Sequence, residues 1–323
     1  MSEMKWGYAI GNWNCPRREQ QERALKVMSA CGFKGVELRF GSGRWAPLGK
    51  TDLIELNFGS VGKLKEFVAS CALEVASYYY DPMAPLEGED PEYWMGMPAP
   101  RCALHAADHE RTVAAARAYA RLLAELGGAC LVVPPAPSYW TAGPLTDERI
   151  KAAADCWNKV GAMTRTEFNV TTALHIDCLS ALRSAAEIDK LMELTDPRFV
   201  GLAIDTAELA IAGIDPVKVY ENHHDRVVHF HFKDALATDE LSEYKKPFAE
   251  YELLDEGGER KINRWFAEMG AEGGRVDFPA LFKAMKAHNY RGWIIVEADH
   301  AANPAETALL NSWYAQAVLA KIE

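Results

Sequence analysis

The 323-residue chain lacks most of the features that would tie a protein to a surface or a polymer. No apolar run approaches the roughly 20 residues needed to cross a bilayer. The opening stretch, MSEMKWGYAIGNWN, has neither the basic flank nor the long apolar centre of a secretory signal. Basic residues are in deficit, 35 Lys and Arg against 46 Asp and Glu, for a net charge of −11. Nucleic acids and anionic membranes are both bound through basic surface, so neither is an expected partner. Cysteine is sparse and unpatterned: seven residues, an odd number, never spaced C-x-x-C. That fits reduced, mostly buried thiols and a cytoplasmic location rather than a disulfide framework. A G-x-G-x-x-G after the first strand-like segment is also missing, which removes the main support for dinucleotide binding.

What the chain does have is alternation. Short apolar, β-branched runs recur, each followed by a helical pattern, from KWGYAIG and REQQERALKVMSACG to GWIIVEAD and NPAETALLNSWYAQAVLA. Helix signals mark several starts: Thr146 before DERIKAAADCW, Asp215 followed by Pro216, and Asn303 paired with Glu306. Eight strand–helix units fit in the length, about 40 residues each, and strict alternation implies a parallel sheet. Eight units favour closure into a single (β/α)₈ barrel, a TIM barrel, over residues 1–323. The longest connections, near residues 80–106 and 236–276, follow the third and seventh strands and so belong to the catalytic face.

In such a barrel, chemistry is carried at the C-terminal ends of the strands. Strand five ends in His175 and Asp177, strand six in Asp205 with Glu208 beyond it, strand seven in His231 and Lys233, strand eight in Glu297 and Asp299. Strand two contributes Glu37 and Arg39. Singly, each has a plain structural reading: an Asp after a strand is commonly an N-cap, a Glu an ion-pair partner, a strand His a satisfied core residue. Jointly, His175, Asp205, His231 and Glu297 form a mixed nitrogen–oxygen set for one divalent ion, Mn²⁺ foremost, with Co²⁺, Zn²⁺ or Mg²⁺ as alternatives. In VVHFHFKDA the rise of about 3.3 Å per residue separates same-face neighbours by roughly 6.6 Å. One ion with ligands near ~2.1 Å cannot readily take both histidines. His229 therefore fills an inner layer or orients a neighbour, His231 ligates at the rim, and Lys233 reaches the substrate side. His223 and His224, at a helix end, read as structural. The rings of SYYY, residues 77–80, are split between core packing and the wall of a sugar pocket.

The segments GFKGVEL, VGLAIDTAELAIAGIDP, VVHFHFKD, GGRVDFPALFKAMK and YRGWIIVEAD together resemble the xylose isomerase-like barrels, the sugar phosphate isomerase/epimerase family. That family includes ketose 3-epimerases, inosose dehydratases and hydroxypyruvate isomerases. The resemblance spans nearly the whole chain. It implies a divalent metal on Asp205, His231 and Glu297, with His175 where the family usually places a glutamate. It also sets Glu208 where many members carry a histidine. The two-glutamate acid/base pair of ketose 3-epimerases is then incomplete, and catalysis is expected to draw on Glu297, Glu208, His175 and Lys233. The implied chemistry is removal of a proton α to a carbonyl through a metal-stabilised enediolate. Loss of a β-leaving group from a keto-sugar or keto-cyclitol is the leading outcome. Epimerisation or isomerisation is the alternative, and a non-catalytic sugar-binding barrel a second. Self-association into a homo-oligomer is left open.

Overall fold

In the computed structural model, residues 4–13, 17–40, 51–80, 102–247, 265–297, 301 and 303–322 are described. Eight parallel strands close on themselves: β1 (Lys5–Ala9), β2 (Gly35–Phe40), β3 (Glu74–Tyr80), β4 (Cys130–Val133), β5 (Thr171–His175), β6 (Val200–Asp205), β7 (Val227–Phe232) and, eighth around the barrel, β10 (Trp293–Val296). Two short strands, β8 (Asp234–Ala235) and β9 (Phe266–Ala267), form an antiparallel pair outside it. The (β/α)₈ expectation holds. Asp299 and the middles of the two long connections lie outside the described residues.

Side-chain alternation divides the strands into two faces. The outward residues meet the surrounding helices. Tyr78 and Tyr80 pack on Tyr119 of α4 (His109–Leu126), Tyr80 stacking on it at 4.4 Å between centroids. Part of the inner face is small or apolar, with Cys130, Val132, Ala173 and Ala203 in one buried cluster with Tyr79. At the lower end Trp293 fills the barrel. Gly35 leaves room for its ring, since a Cβ there would lie 2.6 Å from it.

The helix starts read from sequence are present. Thr146 caps α6 (Asp147–Phe168), Asp215 caps α9 (Pro216–His223) and Asn303 caps α11 (Pro304–Ala317) through side-chain oxygens that accept backbone N–H groups. The first helix, α1 (Arg18–Ala30), is followed by Gly32 at φ 92°, a left-handed position glycine adopts without strain. A short helix, α8 (Thr206–Ile211), follows β6 directly and went unread in the sequence. His223 bonds Asp189 at 2.7 Å and His224 stacks on His288 at 3.7 Å, both structural roles on the outer surface. Among the described residues no helix is long and apolar enough to cross a membrane.

Candidate metal and catalytic site

The strand ends bring together a closely packed set of ionisable groups. Register pairs Asp205 with His231, but His175 with Ala203 and His231 with Ile295. By hydrogen-bond register, His175 therefore sits two residues below Asp205, and Glu297 two above His231. Strand tilt in a closed barrel absorbs that stagger, because one level around the axis climbs in register from strand to strand. The side chains converge accordingly. His175 Nε2 lies 3.2 Å from Asp205 Oδ2, and His231 Nδ1 lies 3.7 Å from the same oxygen and 3.5 Å from Glu297 Oε1.

Asp205 is the N-cap of α8 and also faces the site. Its Oδ1 accepts the backbone N–H of Glu208 at 3.0 Å and caps α8, while Oδ2 turns into the site. The capping bond fixes the direction of the second oxygen. Burial would raise this carboxyl, but the Lys233 charge and the His175 and His231 imidazoles hold it well below the usual carboxylate range.

His231 is oriented from behind by a residue that the sequence reading left without a role. Its Nε2 donates to Glu37 Oε2 at 3.1 Å and lies 3.0 Å from Oε1, and Oε2 also accepts from Ser77 Oγ (2.7 Å) and His229 Nε2 (3.0 Å). Burial pushes Glu37 up, yet the His231 charge and the two imidazole bonds outweigh it and hold the carboxyl well below its ordinary value. His229 thus steadies Glu37, as an inner-layer residue acting through a neighbour. Burial also lowers the pKa of His229, against the opposing pull of Glu37. The available signal was parity. Glu37 shares the inner face of GVELRF with Arg39, and a carboxylate inside a barrel must find donors there.

With Nε2 committed to Glu37, His231 Nδ1 is buried and has no hydrogen-bond partner among the described residues. It faces two carboxylate oxygens at distances too long for hydrogen bonds. A carboxylate-bound imidazole presenting its other nitrogen toward anionic oxygens is the arrangement found around metal ions. His175, Asp205 and His231 offer ligand atoms within 4.8 Å of one another. The donor set fits a divalent cation. In the metal-free state burial depresses His231, but Glu297 and Glu37 overcome that and raise it well above its ordinary value.

Lys233 occupies the same cluster and is only 2% exposed. Its Nζ lies 2.9 Å from Glu297 Oε2, 3.2 Å from Asp205 Oδ2 and 3.2 Å from Glu208 Oε1. It is an internal cation among carboxylates, more enclosed than an end-of-strand lysine was expected to be. Glu208 is buried beside it, its Oε2 accepting the Cys178 backbone N–H at 3.0 Å. Burial pushes the Glu208 carboxyl up to about 8, with Asp177 and Asp205 adding to the rise against the opposing Lys233 charge. Arg39 stands at the mouth, 28% exposed, over the Tyr79 ring at 4.5 Å and 3.9 Å from Glu297 Oε1. Tyr79, the inward tyrosine of SYYY, meets the His175 ring edge-on at 5.3 Å.

Comparison with known proteins agrees with this architecture. The family described as xylose isomerase-like TIM barrel matches residues 25–315. An inosose dehydratase of Lacticaseibacillus casei is 32% identical over 177 residues, 54% of this chain and 56% of that protein. The chain thus spans about half the length of the curated relatives it matches. Among solved structures, an L-ribulose 3-epimerase superposes with a TM-score of 0.70 at 17% identity, covering 99% of this chain and 96% of its own. A probable 3-DHS dehydratase of Bacillus anthracis superposes at 0.69 and 13% identity, covering 97% and 99%. At those identities the structural likeness speaks to the fold.

Proposed function

The chain belongs to the xylose isomerase-like TIM barrel family, and from that premise we propose a divalent-metal-dependent enzyme that removes a proton α to the carbonyl of a keto-sugar or keto-cyclitol and eliminates a β-hydroxyl. The observation that carries this reading is the buried, unpartnered Nδ1 of His231 facing Asp205 and Glu297. His175, Asp205, His231 and Glu297 would hold the ion, with Mn²⁺ first among the candidates. A bound divalent ion supplies Lewis-acid polarisation of a carbonyl oxygen.

The remaining steps belong to the protein's own groups. Glu208, raised to about 8, is a stronger base than an ordinary carboxylate and takes the proton in its ionised form, which grows as pH rises through about 8. The electron pair left on the α-carbon forms the new double bond as the β-hydroxyl departs, and that oxygen takes a proton to leave as water. Lys233, 3.2 Å from Glu208, is placed to hold or deliver that proton. Arg39 and Tyr79 line the opening and orient hydroxyls entering it. Glu208 and Lys233 stand side by side, which suits transfers on one side of a substrate. Epimerisation requires groups on two faces, and His175 stands where the second glutamate of the family's epimerases is expected. Those considerations, with the inosose dehydratase relatives, favour elimination.

The test is metal analysis of the purified protein, followed by solvent-deuterium exchange and ultraviolet detection of unsaturated product on a panel of keto-inositols and keto-sugars. About one Mn²⁺ or similar ion per chain and α-proton exchange are expected. Metal-free protein that cannot be loaded, with no exchange on any member of the panel, would overturn the reading.

A further inference from the structure

Past Lys233 the chain leaves the barrel, and Asp234 is the node of that departure. Its Oδ1 accepts the backbone N–H groups of Ala235 (2.8 Å), Arg275 (2.9 Å) and Val276 (3.1 Å), and its Oδ2 accepts that of Gly270 (3.2 Å). The carboxylate is buried, and Gly274 packs so closely that a Cβ there would fall 2.2 Å from Oδ2. Four donors on one buried carboxylate tie the segment around 270–276 to β8. The bond from Arg275 N–H to Ala235 C=O adds to that tie, and the pairing of Asp234 with Ala267 and of Ala235 with Phe266, with the bond from Leu236 N–H to Trp265 C=O, joins β8 to β9.

Phe266 is the residue that this register sets in place. Its ring lies 4.4 Å from Lys233 Nζ, a cation–π contact on an ammonium that also meets three carboxylates. The Lys233 backbone is held separately, its N–H donating to Thr206 Oγ1 at 3.1 Å and its C=O accepting from the same hydroxyl at 2.6 Å. Loss of the ring would therefore open one side of the ammonium group, which its three carboxylates still hold, without releasing the strand.

We propose that Asp234 is a positioning residue that acts through Phe266: by fixing β9 it seats the aromatic ring against Lys233 and confines the ammonium among Asp205, Glu208 and Glu297. The catalytic consequence rests on the function proposed above, whereas the confinement of Lys233 does not.

The experiment measures acetylation of Lys233 in the full-length protein by trace acetic anhydride, read by mass spectrometry against an exposed lysine such as Lys218. It also measures kcat and KM for α-proton exchange on a keto-inositol. Phe266→Leu should raise Lys233 labelling by roughly tenfold, the scale of a desolvated cation–π contact, and lower kcat with KM little changed. Phe266→Tyr, which keeps the ring face, should restore slow labelling. Asp234→Asn keeps one acceptor oxygen, loses the Gly270 contact, and should fall between. The double variant Asp234→Asn/Phe266→Leu should label no faster than Phe266→Leu alone, since both act on one path. Unchanged labelling in Phe266→Leu, or fully additive effects, would overturn the proposal. Should Asp234→Asn fail to fold, Gly274→Ala, whose added Cβ would press on Asp234 Oδ2, takes its place, and unchanged labelling there would overturn the role of Asp234. The expected labelling pattern without any proton exchange would leave the positioning role standing and remove the proposed reaction instead.

Discussion

Glu37→Gln is the substitution that probes the site most sharply, because it changes one atom and no volume. The native carboxylate takes Ser77 Oγ, His229 Nε2 and His231 Nε2 on Oε2, at 2.7, 3.0 and 3.1 Å, and its other oxygen, Oε1, lies 3.0 Å from His231 Nε2. A glutamine can keep its oxygen on the side of Ser77 and His229. Its amide NH₂ then points at His231 Nε2, donor against donor. His231 can answer by moving its proton to Nδ1, which puts a hydrogen where a ligand lone pair is needed, or by turning away. Either way the ligand is misdirected, and the loss should match that of other groups that orient metal-bound histidines, about 10- to 100-fold in affinity. That is roughly 1.4 to 2.7 kcal/mol, at about 1.4 kcal/mol per factor of ten. Competition with a fluorescent chelator for Mn²⁺, with circular dichroism to confirm the fold, makes the measurement. An affinity within twofold of wild type, in a folded protein, would refute the assignment of Glu37 and weaken that of His231.

Other outcomes follow from the same cluster. Lys233→Met removes the internal cation from between three buried carboxylates; leaving buried charge uncompensated should cost the metal-free protein about 3–5 kcal/mol by urea denaturation, and added Mn²⁺ should recover much of it. If Glu208 is the base, kcat of the wild type should climb as pH rises through about 8, and Glu208→Gln should abolish that limb while leaving Mn²⁺ affinity within a fewfold. In chelated protein, Glu208 (about 8 against an ordinary 4.5) and His231 both hold protons more tightly folded than unfolded; their stabilisation is full at the acid side and is lost as pH rises, so stability should decline between about pH 5 and 8. A rising Tm over that interval would contradict both assignments. His231→Ala should lose metal with modest change in stability, whereas His229→Ala, which strips a donor from buried Glu37, should lose stability first.

The sequence by itself determined the barrel. Strand and helix periodicities, caps such as Thr146 and Asp215, and the count of eight units are local properties, each written within about 40 residues. It also placed His175, Asp205, His231 and Glu297 at strand ends, because position along a strand and inward parity are legible one residue at a time. What only the tertiary structure decided is who meets whom across the barrel. Glu37 reaches His229 from 192 residues away, and Lys233 reaches Glu297 from 64. Such contacts depend on strand tilt and register, which no local pattern encodes. The same holds for the enclosure of Lys233. Its sequence position suggested a side chain at the rim. Its burial comes from carboxylates of the β6–α8 segment and of the end of β10, and from the ring of Phe266 on β9, which pairs with β8 just past Lys233.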